Sequence, residues 1–223
     1  TNFYVDVTDH LKNGQDNLIQ VIARNADQPN SRWYSGCGIY RDVRIVKTGK
    51  VRIAPNGVYA IPRLRYTLTD DLDAGFFFVQ TDVISESDGI SSVTVRHIVF
   101  DPKGKEVGMK EEHMPIRDVN DAELMVEVQN PHLWDVDDPY LYTLVTEIAD
   151  TEGNLLDRVE MKTGLRSFHF NEKTGFYLNG RSLKINGVCL HHDFGCLGSA
   201  FNVNAARRQL EIMKEMGCNS VRT

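Results

Sequence analysis

Through residue 163 of the chain, apolar and polar residues alternate with a period close to two. Phe3-Tyr4-Val5-Asp6-Val7, Leu18-Ile19-Gln20-Val21-Ile22-Ala23 and Ile39-Tyr40-Arg41-Asp42-Val43-Arg44-Ile45-Val46 each read as a strand. In the last of these, Ile39, Arg41, Val43 and Ile45 share one face. Lys12-Asn13-Gly14-Gln15-Asp16 and Lys47-Thr48-Gly49-Lys50 are polar punctuation. A second series of strands follows. Val51-Arg52-Ile53 leads to Gly57, and further strands are predicted over 65–68, 76–84, 92–100, 124–128, 140–149 and 156–163. Turn sequences lie between them, among them Asp73-Ala74-Gly75, Ser87-Asp88-Gly89, Asp101-Pro102-Lys103-Gly104, Asn130-Pro131 and Asp150-Thr151-Glu152-Gly153-Asn154. Roughly seven short strands over about 115 residues predict an immunoglobulin-like β-sandwich over 51–166.

The period then changes. Phe176-Tyr177-Leu178-Asn179-Gly180-Arg181-Ser182-Leu183 reads as a hairpin turning at Asn179-Gly180, and 183–190 as a further strand. Residues 202–216 form the one convincing helix. Asn202 or Asn204 can cap it, and Val203, Ala206, Leu210, Met213 and Met216 make one apolar stripe. Gly217 stands where a left-handed residue ends a helix, and Asn219-Ser220-Val221-Arg222-Thr223 resumes as a strand. Strand, helix, strand is the opening of a parallel α/β unit.

Composition narrows the function classes. The 223 residues are 41% hydrophobic and 25% charged, enough apolar content for a folded core. The net charge of −6, without a basic stripe, argues against nucleic-acid binding. The longest apolar runs, such as Gly75-Phe76-Phe77-Phe78-Val79, fall far short of the ~20 residues of a membrane helix, so no membrane partner is expected. The N-terminus has no initiator Met, basic flank or apolar signal core and reads like the middle of a strand, so the chain is expected to begin inside a longer protein. The compartment stays open. Cys37, Cys189, Cys196 and Cys218 form no C-x-x-C pair. They are expected as isolated, mostly buried thiols, with a Cys189–Cys196 bridge as the alternative.

Three clusters carry candidate chemistry. The stretch from Asn30-Ser31-Arg32-Trp33-Tyr34 to Gly38-Ile39-Tyr40-Arg41-Asp42-Val43 pairs aromatic faces suited to sugar rings with Asn, Arg and Asp hydrogen-bonding groups. The plainer reading, a loop anchored by a buried Trp33, is favoured by composition. His191-His192-Asp193 follows a strand. Adjacent residues on an extended chain point to opposite faces, so the two imidazoles are poorly placed to chelate one ion, and no metal or other cofactor is expected. Polar side chains at the C-terminal end of a strand do line the active face of a β/α barrel. If 219–223 is the next barrel strand, Arg222 emerges at that same face, where a guanidinium can orient a carboxylate or bind hydroxyls.

In this order the segments resemble glycoside hydrolase family 2, the β-galactosidases, β-glucuronidases and β-mannosidases. The resemblance rests on Trp33 through Val43, Asn130-Pro131-His132-Leu133-Trp134 with Pro139-Tyr140-Leu141-Tyr142, and Gly164-Leu165-Arg166. Phe176 to Gly180, Gly187 to Asp193 and Met216 to Thr223 complete it. It implies three parts: 1–47 as the end of a jelly-roll sugar-binding domain, 51–166 as an immunoglobulin-like domain, and 167–223 as the start of a catalytic barrel. The fold class is then mainly β, a sandwich flanked by an incomplete jelly roll and an incomplete β/α barrel.

The resemblance further implies that His191 contacts substrate, that Arg222 supports a catalytic carboxylate, and that loop residues near Asn30 and Arg32 border the pocket. The family's two catalytic glutamates lie on later barrel strands. Without both there is no general acid and no nucleophile, so the chain reads as an inactive piece of a retaining exo-β-glycosidase. His191-His192-Asp193 departs from the Arg/Asn-His-Glu pattern of some relatives, and a terminal β-galactoside is the first choice of substrate. The alternative is a non-catalytic carbohydrate-binding or adhesion module of two β-sandwiches, for which a strand–helix–strand tail has no use. Eight strands close a barrel and this chain supplies two. The helical stripe therefore lacks its usual neighbours; a mobile tail, a tail folded back on the sandwich and pairing with a second copy are the open outcomes, and the exposed strand edges and apolar patch favour the homo-oligomer.

Overall fold

The computed structural model describes residues 3–24, 38–69, 71–87, 89–117, 120–191 and 193–223. It divides into two compact units, one of Ile45–Asn186 and one that joins Thr1–Arg44 to Gly187–Thr223.

The first unit is a β-sandwich. Its strands are β1 (Val51–Tyr66), β2 (Leu72–Ser85), β3 (Ser92–Phe100), β4 (Glu106–Pro115), β5 (Asp121–Gln129), β6 (Tyr142–Ala149) and β7 (Leu155–Thr163). One sheet has the order β1-β2-β5 and the other β4-β3-β6-β7, with every pairing antiparallel. Strand β5 shows how the sequence specifies this arrangement. Ala122, Leu124, Val126 and Val128 are buried, while the residues between them are exposed, as a strand with one wet face requires.

The seven strands match the expected number but not the expected set. The predicted pieces at 51–53 and 65–68 are the two ends of β1, which runs through a register shift between Ile53 and Val58 where Asn56 is left-handed (φ 58°). Strand β4 was not predicted. It is an edge strand, its burial pattern is almost wholly exposed, and Glu106, Lys110, Glu111 and Glu112 erase the hydrophobic alternation.

The core has two apolar clusters with a polar layer between them. Phe77, Val79, Val99, Val126, Val128, Tyr142, Leu144 and Leu165 form one cluster. Val51, Ile53, Val83, Val93, Val95, Ala122 and Ile148 form the other. In β2, β3 and β6 the inward positions between the clusters are Thr81, His97 and Thr146, all buried. The His97 ring meets the Thr146 hydroxyl at 3.0 Å through Nδ1 and the Thr81 hydroxyl at 3.5 Å through Nε2. Burial lowers the His97 pKa from 6.5 to about 4, so the ring is neutral in the native state at neutral pH.

A third sheet in this unit, also of three strands, comprises β8 (Phe168–Asn171), β9 (Gly175–Leu178) and β10 (Arg181–Ser182). Asn179 (φ 50°) and Gly180 (φ 77°) form the expected two-residue turn, the left-handed pair that matches strand twist. Asn179 also fastens this sheet to the sandwich. Its side-chain amide donates to the Trp134 carbonyl (3.0 Å), and its Oδ1 accepts from the Ser167 N–H (3.0 Å). Arg181 reaches both Asp135 oxygens at 2.9 Å, and the Arg166 guanidinium lies 4.6 Å from the Trp134 ring centroid. Gly164 is required here, since a Cβ would stand 2.9 Å from that of Trp134.

In the other unit, the strands expected at 3–7, 18–23 and 39–46 belong to no sheet among the described residues. Phe3, Val5, Leu18, Ile22 and Val43 are exposed, as is Ile45, the first residue of the sandwich unit. Alternation supplies the propensity, but a strand exists only when a partner satisfies its backbone. The α/β tail forms as expected, with β11 (Gly187–Cys189), α1 (Val203–Glu215) and β12 (Ser220–Arg222), and β11 lies parallel to β12. The Asn202 side chain caps α1 by accepting from the N–H groups of Asn204 and Ala205. Gly217 (φ 86°) donates to the Lys214 carbonyl and Cys218 to that of Met213, the paired bonds of a Schellman ending. No residue of α1 is buried, and Val203, Leu210 and Met216 of the apolar stripe are exposed.

Candidate active site

Parallel pairing brings two of the sequence-chosen residues to one place. Gly187 faces Ser220, Val188 faces Val221 and Cys189 faces Arg222. The Leu190 N–H donates to the Arg222 carbonyl at 2.8 Å, which carries the ladder one residue past β11. Arg222 and His191 therefore stand at the C-terminal ends of neighbouring parallel strands, and both are exposed. This is the edge at which β/α folds place their chemistry, since the connecting loops there vary without disturbing the sheet.

The loop that follows His191 is closed by its own hydrogen bonds. Asp193 donates its N–H to the His191 carbonyl (2.8 Å), and its Oδ1 accepts the Gly195 N–H (2.9 Å). A short 3-10 turn, Gly195–Leu197, comes next, and Phe194 donates to the Gly198 carbonyl at 2.9 Å. From α1, the Gln209 amide reaches the Asp193 carbonyl at 3.4 Å. The strand ends thus present an imidazole, which can donate and accept, and a guanidinium with five donors. That pair suits a ligand rich in hydroxyl groups and can hold a carboxylate in place. Among the described residues, Asp193 is the carboxylate nearest along the chain to His191, and it is engaged in closing the turn.

Asn30, Arg32 and Trp33 lie outside the described residues, as does His192. The expected burial of the thiols is not met. Cys37 lies outside the described residues; Cys189 and Cys196 are free and exposed, with no bridge between them, and Cys218 is free and half-buried. Sequence reading missed the contact that Tyr40 and Arg41 make with Phe201, since 161 positions separate the two partners and neither end is marked by a periodic pattern. In the sandwich unit, an open hollow of about 480 Å³ is lined by Asp101, Thr143, Arg158, Glu160 and Lys162. Its Arg158 is paired with Glu147 and Glu160, so the charges that line the hollow are already engaged with one another.

Residues 60–166 match the family description "Glycosyl hydrolases family 2", and residues 171–223 match its TIM barrel domain. The chain belongs to glycosyl hydrolases family 2. A β-galactosidase of Bacteroides ovatus, BoGH2A, is 43% identical over 99% of this chain, which covers 26% of that protein. A β-glucuronidase of Bacteroides fragilis is 29% identical over 99% of the chain and 32% of its own length. Among solved structures, a family 2 member from Bacteroides cellulosilyticus superposes with a TM-score of 0.86 at 28% identity, over 96% of this chain and 29% of that one. A Bacteroides uniformis β-glucuronidase gives 0.76 at 25% identity, over 90% and 25%. The family 2 chain described here therefore spans between a quarter and a third of these four relatives. The barrel match begins at 171, so β9 and β10 carry barrel sequence while Asn179 and Arg181 tie them to the sandwich.

Proposed function

We propose that this chain is the substrate-side frame of a retaining exo-β-glycosidase that removes terminal β-galactosides, and that it is inactive by itself. The observation that carries this reading is the parallel β11–α1–β12 unit, which puts His191 and Arg222 at one set of strand ends. In this reading His191 hydrogen-bonds a sugar hydroxyl, Arg222 orients the catalytic carboxylate of a neighbouring barrel strand, and Asn30 and Arg32 border the pocket. Residues 1–47 belong to a sugar-binding jelly roll, 51–166 to the immunoglobulin-like sandwich and 167–223 to the barrel. Cleavage with retention needs an acid and a nucleophile about 5–5.5 Å apart. Neither is assigned to this chain, which explains why it is inactive alone. Galactose is preferred because the relative of 43% identity is a β-galactosidase. A two-sandwich binding module would leave the β/α tail without purpose.

The test is a substrate profile on the protein made from the complete reading frame. Nitrophenyl β-galactoside should be cleaved in preference to the β-glucuronide, and proton NMR should show a β-configured first product. Preference for the glucuronide overturns the choice of sugar, and an α-configured first product overturns retention. The 223-residue chain should cleave neither. Turnover that survives purification and falls on mutating a residue of this chain would show that the chemistry lies here.

A further inference from the structure

Within one compact unit, the segment ending at Arg44 meets the loop that follows His191. The Phe201 N–H donates to the Tyr40 carbonyl at 2.9 Å. The Arg41 guanidinium carbon lies 5.6 Å from the ring centroid of Tyr40 and 5.6 Å from that of Phe201, within reach of the attraction between a cation and an aromatic face. Phe201 in turn packs edge-on against Phe194, with centroids 5.9 Å apart at 77°.

The loop between Phe194 and Phe201 is a series of local bonds. Phe194 donates to Gly198, Gly198 to Gly195, and Ala200 to Leu197. Gly195 donates to the Asp193 carboxylate, and Asp193 to the His191 carbonyl. Such bonds give the loop its internal shape but do not fix where it lies. Its first end leaves the strand at His191, and its last enters α1 at the cap residue Asn202. Beside that second end, Tyr40 and Arg41 supply contacts from a part of the chain that is neither the loop nor the helix.

We propose that Arg41 is a positioning residue. Through Phe201 it holds the 193–201 loop and so sets how the His191 strand end meets substrate. The catalytic part of this proposal rests on the glycosidase reading above; the structural part does not.

The test has two arms. In the 223-residue chain, amide exchange at Gly198, Ala200 and Phe201 is compared in the parent, Arg41→Met, Phe201→Leu and the double variant. Arg41→Met should speed exchange about fivefold and Phe201→Leu, which also loses the packing on Phe194, at least as much, and the double should be no faster than Phe201→Leu, because the contact with Arg41 is already gone there. Arg41→Lys, which keeps a cation over the rings, should recover most of the protection. Arg44→Met is the control and should change nothing, since Arg44 is 80% exposed and among the described residues pairs with Asp42 alone, at 3.4 Å. Unchanged exchange in Arg41→Met, or effects that multiply in the double variant, overturns the contact. If Arg41→Met unfolds the unit, Arg41→Lys and Phe201→Leu decide by the same criteria.

In the complete protein, Arg41→Met should lower kcat on its best nitrophenyl β-glycoside about fivefold with a smaller change in KM, and Arg41→Lys should restore it. Unaltered kinetics beside altered exchange overturns the catalytic part. A complete protein with no glycosidase activity overturns the glycosidase reading and, with it, the catalytic part, and leaves the exchange arm to judge the contact.

Discussion

His97 makes the sandwich acid-sensitive, in a pH range that its burial defines. The ring is buried between Thr81 and Thr146, and its pKa of about 4 lies below the ordinary 6.5 because burial disfavours the charged form. In the unfolded chain the ring regains the ordinary value. Between pH 6.5 and 4 the unfolded state therefore binds a proton that the folded state does not, and stability falls as pH falls. Above pH 6.5 the contribution is fully present, and it is exhausted near pH 4. Each pH unit in this range costs about 1.4 kcal/mol, so the whole effect is about 3 kcal/mol.

His97→Gln isolates this effect, because an amide can keep partners at both threonines but does not titrate. Urea unfolding followed by Trp134 fluorescence at pH 7.5, 6, 5 and 4 gives both stabilities. Their difference, parent minus variant, should shrink by about 3 kcal/mol from pH 7.5 to pH 4, with the steepest change around pH 5–6. Carboxylates titrate in both proteins and cancel. A difference that stays constant within about 0.5 kcal/mol would refute the reasoning, since His97 would then bind protons equally in both states.

Two further changes probe other parts of the sandwich unit. Asn179→Ala removes the side-chain bonds to Trp134 and Ser167 and puts at φ 50° a residue that adopts the left-handed region less readily than Asn, so the hairpin of β8 to β10 should lose about 2 kcal/mol. Faster amide exchange in 168–178 with little change in β3 and β6 is the expected result, and Asn179→Gly should fall between parent and Ala. Gly108→Ala would put a Cβ 2.3 Å from the Glu127 carbonyl oxygen, where β4 closes against β5, and should cost about 2 kcal/mol in thermal or urea unfolding.

The sequence announced elements where local chemistry was sufficient. The Asn179-Gly180 turn, the Asn202 cap, the Gly217 ending and the alternation of β5 all act within a few residues. The sandwich follows from them, since strands buried on one face must pair. Strand β4 was hidden because Val107 and Met114, the side chains it packs on the core, are too far apart among exposed residues to set a hydrophobic period. The N-terminal alternation was read correctly as pattern, yet among the described residues it forms no strand, because pairing depends on partners as well as on pattern. The polar layer was illegible for another reason. His97 interrupts the run Val93, Val95, Val99, but its partners lie 16 and 49 residues away. At the candidate site, the position of His191 and Arg222 at strand ends was legible from the strand–helix–strand order. The contact of Arg41 with Phe201 was not, because it joins two ends of the chain.

The most direct test of the account is the kinetics of His191→Ala and Arg222→Ala in the protein made from the complete reading frame. Groups that touch substrate or hold the catalytic carboxylate are each worth ~2–4 kcal/mol of transition-state stabilisation, about 30- to 1000-fold in kcat/KM. Both variants should lose activity on this scale while their unfolding midpoints stay at that of the parent, because both residues are exposed in the structure. If both retain kcat/KM within a factor of about two of the parent, the strand ends of β11 and β12 are not the substrate side of the site, and the account fails.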